Sequence, residues 1–487
     1  MRLSKAASFL LCQSPLSLSP LIRSSNAAAA KATRPLTLTA LPKRTGQTPF
    51  EEEILLQDDN KDNNNNNESH LSNKKNVFYP VSPGDVVAEG KYSMISKLGW
   101  GRNSTVWLAE ERGRWPGRGR WRNFWQQKQQ QSFVAIKFNN CNVDQDAIRH
   151  ELDMHQRLAT ADPTHRGSPL VRRVMDSFEI RTKVGTHLCL VYQPLRETLG
   201  CYQWRFPGGR IPIPLLKVYV HALLVGLDYL HSKCHITHTD LKLDNILVSF
   251  EHDSVLPERA RQLQHSEQMF QETPYGRVFQ SYSDFGPLKS YVSVPMITDF
   301  DQADDGDFGA YPIQPDVYRA PEVLLGWGWS HSVDIWNFGN LIWTLASGAD
   351  LFQPSHPTAP STYDPVIHLA QMCSVLGFPS PALLKQRAQS GAWKWTPALE
   401  NSKGELCTDA CSFYGGPHFD PSTGEFLHPD AVPSPQSLHD RATFVGEEER
   451  ASFVDFMSKM LTWDPAARLG ADDLSHHPWL VLGGRIK

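Results

Sequence analysis

Between residues 91 and 230 the apolar residues change their period, and no other feature constrains the fold as much. Residues 91–110 read as two strands around a turn, with Ile95 and Leu98 before Gly99-Trp100-Gly101 and Val106 and Leu108 after it. Residues 133–138 form a short apolar strand and residues 186–195 another, while Ile148, Leu152 and Leu158 between them fall at helical spacing. From Pro214 the pattern is helical. Leu216, Val220, Leu223, Leu224, Leu227 and Leu230 share one side of a helix whose first turn tolerates the proline. Residues 332–347, 364–376 and 449–461 repeat that pattern. A small strand-rich unit followed by a larger helical one predicts an α+β, two-lobed fold, and the cleft between such lobes is where ligand sites form.

Other features bound the classes open to the chain. Its 487 residues carry a formal net charge of -4, so no nucleic-acid or anionic-membrane partner is expected. No run approaches eighteen uninterrupted apolar residues. The eight cysteines show no paired CxxC spacing and read as reduced thiols. Residues 1–50 hold seven basic residues and no acid, the composition of an organellar transit peptide or of a basic disordered tail. Residues 51–78, with five consecutive asparagines at 63–67, read as low-complexity linker. One domain is then expected over 79–481, its lobes at about 79–195 and 196–481, followed by a short tail at 482–487.

The chemistry-bearing residues come in a definite order. Gly99-Trp100-Gly101-Arg102-Asn103-Ser104-Thr105-Val106 lets a strand-turn-strand backbone approach phosphates closely, although Ser104 stands where a third glycine is usual. Val134-Ala135-Ile136-Lys137 puts an ammonium at the end of a buried strand, where it needs neutralising. Glu151, fourteen residues on in the next helix, can do so, and such a pair holds the α- and β-phosphates of ATP. His238-Thr239-Asp240-Leu241-Lys242-Leu243-Asp244-Asn245 supplies three roles on one loop. Asp240 takes or orients the substrate hydroxyl proton, Lys242 offsets charge on the transferring phosphoryl group, and Asn245 ligates Mg²⁺. Asp299 of Asp299-Phe300-Asp301 is the second metal ligand, and Glu322 of Ala320-Pro321-Glu322 needs a buried cation, for which Arg468 is the candidate. Six elements in this order predict an ATP-dependent protein kinase acting on Ser/Thr. Asp334 should lie buried and brace the catalytic loop.

Asp284-Phe285-Gly286 competes with Asp299 for the metal role, and local context separates them. Asp299 follows Val292, Val294, Met296 and Ile297, a strand able to carry it into the cleft. Asp284 sits between Ser281-Tyr282-Ser283 and Pro287, in what reads as an irregular loop.

Over residues 79–481 the chain resembles the SR-protein kinases. The matching pieces are Leu98-Gly99-Trp100-Gly101 with Ser104-Thr105-Val106-Trp107, then Gly226-Leu227-Asp228-Tyr229-Leu230-His231-Ser232-Lys233-Cys234, and His238-Thr239-Asp240 with Thr where most kinases have Arg. A spacer interrupts the large lobe in that family, and residues 249–294 look like a short version of it. The resemblance implies a monomeric kinase of the cytoplasm or nucleus, acting on serines in Arg/Ser-rich segments of RNA-processing proteins. The N-terminal composition points instead to mitochondria. The resemblance further implies a nucleotide site of Leu98, Gly99, Trp100, Gly101, Ser104, Val106, Ala135, Lys137, Glu151, Tyr192, Gln193 and Leu195.

Charge bears on substrate and regulation. Residues 299–322 contain no Ser or Thr, and Thr239 cannot bind a loop phosphate as an arginine would, so basal activity is expected. Asp299, Asp301, Asp304, Asp305, Asp307 and Asp316 precede the first base, Arg319, and residues 400–450 hold ten acids against three Lys/Arg. Such surfaces steer cationic peptides, or serve only as solvated faces. Pro315 and Asp316 depart from the residues usual near the acceptor, and Asp301 replaces a pivoting glycine. Those departures keep a pseudokinase as the alternative. The insert at 112–131, with five Arg and three Trp, reads as a surface elaboration.

Overall fold

The period-two stretches assemble into one antiparallel sheet. The computed structural model describes residues 78–481 except 102, 113–131, 142–144, 274–275, 357–358, 390–392 and 421. The readings made for residues 1–77, for the tail after 481 and for the Arg/Trp-rich insert after Arg112 lie outside the described residues. The sheet runs β1-β2-β3-β4-β6-β5, with β1 Val86–Val87, β2 Tyr92–Gly101, β3 Ser104–Glu111, β4 Ser132–Asn139, β5 Val174–Arg181 and β6 Thr186–Tyr192. Strands β2 and β3 stay paired as far as Gly101↔Ser104. The turn therefore falls after Gly101 and not at Gly99-Trp100-Gly101, because a tight connection keeps both glycines in the ladder. One face of the sheet buries Trp107, Ile136, Phe138 and Val191. The other, which also carries Lys137, packs Ala135, Leu190 and Tyr192 with Leu98, Val106 and Leu152 of helix α1 (Gln145–Thr160).

Beyond residue 195 a three-stranded sheet sets the site. Strands β7 (Glu197–Thr198), β8 (Ile246–Val248) and β11 (Pro295–Ile297) lie in the order β11-β8-β7. Ile246 pairs with Ile297, which places the segment ending at Asn245 beside the one leading to Asp299. Beneath it α2 (Ile213–Tyr229) and α4 (Ser332–Ser347) form the large-lobe core with Trp336, Phe338 and Leu341. Helix α4 is buried nearly all round, its polar Asp334, Asn337, Asn340 and Thr344 included. The stretch Ile213–Cys234 is long and apolar enough for a membrane span, but most of it is buried inside the lobe.

Residues 249–294 return to the small lobe. Helix α3 (Val255–Gln264) buries Ala260 and Leu263 against Ile95 and Leu108 of the small-lobe sheet. The hairpin of β9 (Phe270–Thr273) and β10 (Gly276–Phe279) brings Phe279 edge-on to Trp107, with centroids 5.8 Å apart. The Tyr282 N–H donates to the Lys97 carbonyl at 2.8 Å, and Gln268 Nε2 to that of Ile95 at 2.6 Å. The literal Asp-Phe-Gly triplet closes the excursion. Phe285 packs on Phe250 at 4.9 Å, and the Gly286 carbonyl accepts from Arg196 and Arg205.

Helix α5 (Pro365–Leu376) carries His368 in full burial, with Nδ1 3.2 Å from the Tyr363 hydroxyl and Nε2 without a partner among the described residues. Burial, with some help from Arg319, lowers its pKa to about 3. The folded-state pKa lies below the unfolded one, so His368 contributes stability that is present above pH 6.5 and lost as pH falls toward 3. In His368→Phe, denaturation followed between pH 6 and 4 should show a pH slope shallower by up to about 1.4 kcal/mol per pH unit.

Candidate active site

Lys137 lies within the buried part of β4, between Ile136 and Phe138, and finds two acids. Its Nζ lies 2.7 Å from Glu151 Oε1 on α1 and 3.3 Å from Asp299 Oδ1. Burial would lower its pKa, but Glu151 and Asp299 outweigh this and hold it well above the ordinary lysine value. Asp299 is the partner of that exchange. Burial would raise its carboxyl, and Lys137 pulls it below the usual range instead. Asp284 takes no part in the cleft, since its carboxylate accepts from Arg205 and from the Gly286 N–H.

Across from this group, Asp240 Oδ2 accepts from Lys242 Nζ at 2.6 Å and from Asn245 Nδ2 at 2.8 Å. Asn245 uses its amide nitrogen on Asp240, leaving the oxygen Oδ1 without a protein partner among the described residues. With the Asp299 carboxylate on the adjacent segment, this gives two oxygen donors of the kind a hard cation takes. Of the remaining expected residues, Leu98, Val106, Ala135 and Tyr192 share one apolar cluster above the cleft, and Gly99, Trp100, Gly101 and Ser104 form the end of the β2–β3 hairpin. Gln193 and Leu195 lie on the connection between β6 and β7.

The loop geometry rests on buried polar groups. Asp334 is fully buried and accepts the His238 N–H at 2.7 Å, the Thr239 N–H at 3.0 Å and His231 Nε2 at 2.9 Å. Thr239 adopts φ +60°, a left-handed conformation that a β-branched residue rarely takes, and its hydroxyl donates to the Gln302 carbonyl at 2.5 Å. His238 Nε2 donates to the Thr298 carbonyl at 3.0 Å, and its ring packs on the fully buried Phe300. Helix α1 reaches the segment after Asp299 twice, through His150 to the Ala303 carbonyl and Arg157 to Asp305, each at 2.5 Å. Asp301 lies close enough to Asp299 that burial and this neighbour raise its carboxyl to about 6.

Several residues of this framework carry no local sequence signal. His155, hydrogen-bonded to the Tyr192 hydroxyl at 3.0 Å, packs edge-on against Phe300. Gln314, at φ +73°, donates to the Val333 carbonyl at 3.0 Å and to Asn337, which in turn donates to the Leu241 carbonyl. Each links positions far apart in the chain, which spacing alone does not expose.

Comparison with known proteins places this geometry. A family profile described as a protein kinase domain matches residues 288–480. A serine/threonine protein kinase of Aspergillus fumigatus is 32% identical over 408 residues, covering 84% of this chain and 88% of that protein. The chain belongs to the serine/threonine protein kinases. Within them it is SRPK-like. The serine/threonine-protein kinase SRPK of Physarum polycephalum is 28% identical, covering 84% of this chain and 90% of the relative, and the protein kinase dsk1 of Schizosaccharomyces pombe is 25% identical, covering 83% of each. The crystal structure of a kinase domain shares the fold, with a TM-score of 0.57 at 20% identity over 83% of this chain and 99% of that one.

In this kinase the segment after Asp299 is anchored by Glu322 and Arg468, which meet in a two-pronged pair at 2.5 and 2.7 Å, both side chains fully buried. Arg468→Met leaves the Glu322 carboxylate buried and unpaired, and should lower the unfolding free energy by about 3–5 kcal/mol in urea titration. Adding Glu322→Gln should recover most of that loss.

Proposed function

We propose that this kinase transfers the γ-phosphate of ATP, with Mg²⁺, to serine in basic, Arg/Ser-type protein segments. The observation that carries the transfer chemistry is the meeting of Lys137, Glu151 and Asp299 with Asp240, Lys242 and Asn245 across one cleft. Asn245 and Asp299 would hold the metal and Lys137 the nucleotide phosphates, while Mg²⁺ would supply charge neutralisation at the transferred group. Asp240 faces the acceptor hydroxyl, and Lys242 beside it holds the carboxylate in orientation. The intact Lys137–Glu151 pair favours turnover over a pseudokinase.

The preference for basic segments is supported by acid that the protein itself leaves open. Asp305 and Asp316 are paired with Arg157 and Arg319. Asp307 is 85% exposed and, among the described residues, meets only His235 and His331, at 3.9 and 3.7 Å. A segment of net negative charge beside the catalytic loop attracts cationic peptides through its field more than through fixed pairs. The serine substrates of RNA-processing proteins suggested by the SRPK-like relatives carry that charge.

In Asp240→Asn the transfer to an Arg/Ser peptide should fall about 10²–10⁴-fold with nucleotide binding retained. Equal transfer by both proteins would remove Asp240 from this role. For the wild type, the KM for an Arg/Ser peptide should rise with ionic strength more steeply than that for an uncharged Ser peptide. Parallel salt profiles would remove the basic-segment reading and leave the kinase assignment standing.

A further inference from the structure

Arg172 is a cation beside Tyr192 and Gln193, and the reading above does not use it. Arg172 stands just before β5, where its N–H donates to the Ile297 carbonyl at 2.9 Å and its neighbour Val171 bridges Ile297 in parallel. Its backbone is thereby tied to the strand that delivers Asp299. The guanidinium lies over the Tyr192 ring, 4.5 Å from the centroid, and Nη2 donates to the Gln193 carbonyl at 2.9 Å. Tyr192 is itself fixed by its hydrogen bond to His155. Arg172 Nε is buried with no partner, and no carboxylate lies within ion-pair distance of the guanidinium among the described residues. Burial lowers the guanidinium to about 10, so it stays charged at neutral pH.

The position of this group bears on which base fits. With the triphosphate directed to Lys137 and Asp299, the base must lie along residues 192–195, under Leu98, Val106 and Ala135. A purine meets such a backbone connection with its polar edge. Adenine offers an amino donor at C6, whereas guanine and hypoxanthine offer an oxo acceptor there. Here the Gln193 carbonyl already accepts from Arg172, and the guanidinium adds donors and positive charge beside it. Donors gathered at that one carbonyl match a 6-oxo group better than a 6-amino group.

We propose that Arg172 adapts the base pocket to 6-oxopurines, so that guanosine triphosphate serves as a second phosphoryl donor beside ATP. This rests on the nucleotide site of the proposed function. The transfer step is the same for both donors. The serine oxygen bonds to the γ-phosphorus, the bond from that phosphorus to the β,γ-bridging oxygen breaks, the hydroxyl proton passes to Asp240, and GDP leaves in place of ADP.

Equilibrium binding of ADP, GDP and IDP to the full chain with Mg²⁺, followed by fluorescence or calorimetry, tests this without reference to turnover. GDP should bind within about tenfold of ADP, and IDP, which has the 6-oxo but not the 2-amino group, should follow GDP. In Arg172→Met and in Arg172→Gln the ratio of Kd for GDP to Kd for ADP should rise by about tenfold, the effect of losing one charge-assisted hydrogen bond. GDP weaker than ADP by more than tenfold in the wild type, IDP failing to follow GDP, or a ratio unmoved in both variants would each overturn the role of Arg172. Absence of binding by all three nucleotides would instead overturn the nucleotide site itself. Peptide phosphorylation from γ-labelled GTP, set against the same assay with ATP, then reads the activity directly.

Discussion

The ammonium of Lys137 sets the terms for the rest of the molecule. It sits on a strand between the buried apolar residues Ile136 and Phe138, and an unpaired charge there would cost several kcal/mol in lost hydration. Two carboxylates come to it from elements distant in the chain, Glu151 on α1 and Asp299 beyond β11. Meeting that demand fixes where the helix lies against the sheet and where the large lobe presents the segment of Asp299. Asn139 adds a hydrogen bond to the other Glu151 oxygen at 3.4 Å, so the glutamate is held from two points on the same strand.

Other contacts hold the same arrangement without a phosphate. Helix α1 is fastened to the segment after Asp299 by His150 and Arg157. Thr239 uses its hydroxyl on the Gln302 carbonyl, and Thr237 and Asp304 exchange backbone hydrogen bonds at 2.8 Å. The Thr239 hydroxyl is thus already satisfied within the protein. Residues 249–294 act at a larger scale, since they leave the large lobe, bury Ala260 and Leu263 on the small-lobe sheet, and return to Arg196 and Arg205. A hinge motion of the lobes would have to break that apolar contact as well as the Lys137 pairs.

What could be read from the chain follows from how local the chemistry is. Asp240, Lys242 and Asn245 lie within six residues, and a strand leads to Asp299 but not to Asp284, so their grouping needed only short-range pattern. The two-lobed order was legible for the same reason, because the change from period two to 3.6 is a property of short windows. The turn after Gly101 was misplaced by two residues, since a glycine marks a permissive backbone and not where the ladder ends. Arg172, His155 and Gln314 were invisible, because their partners stand 21, 37 and 23 residues away and no motif joins them. The path of α3 was equally hidden, as an amphipathic helix carries no mark of the surface it will cover.

Asp301 shows how such frameworks absorb a residue that pattern alone would count as a defect. In place of a glycine it brings a second carboxylate beside Asp299, and burial with that neighbour raises its pKa to about 6. Two adjacent carboxylates share the field of Lys137, which stabilises the first and only partly offsets the charge of the second. The backbone consequence is separate. With a Cβ at 301 and Asp299 already at φ +68°, the segment has fewer conformations open to it than a glycine would allow. Phe300 is meanwhile packed between His155 and His238. The substitution therefore falls where the surrounding contacts already hold a single arrangement, so a residue that restricts pivoting removes a freedom this segment does not otherwise use.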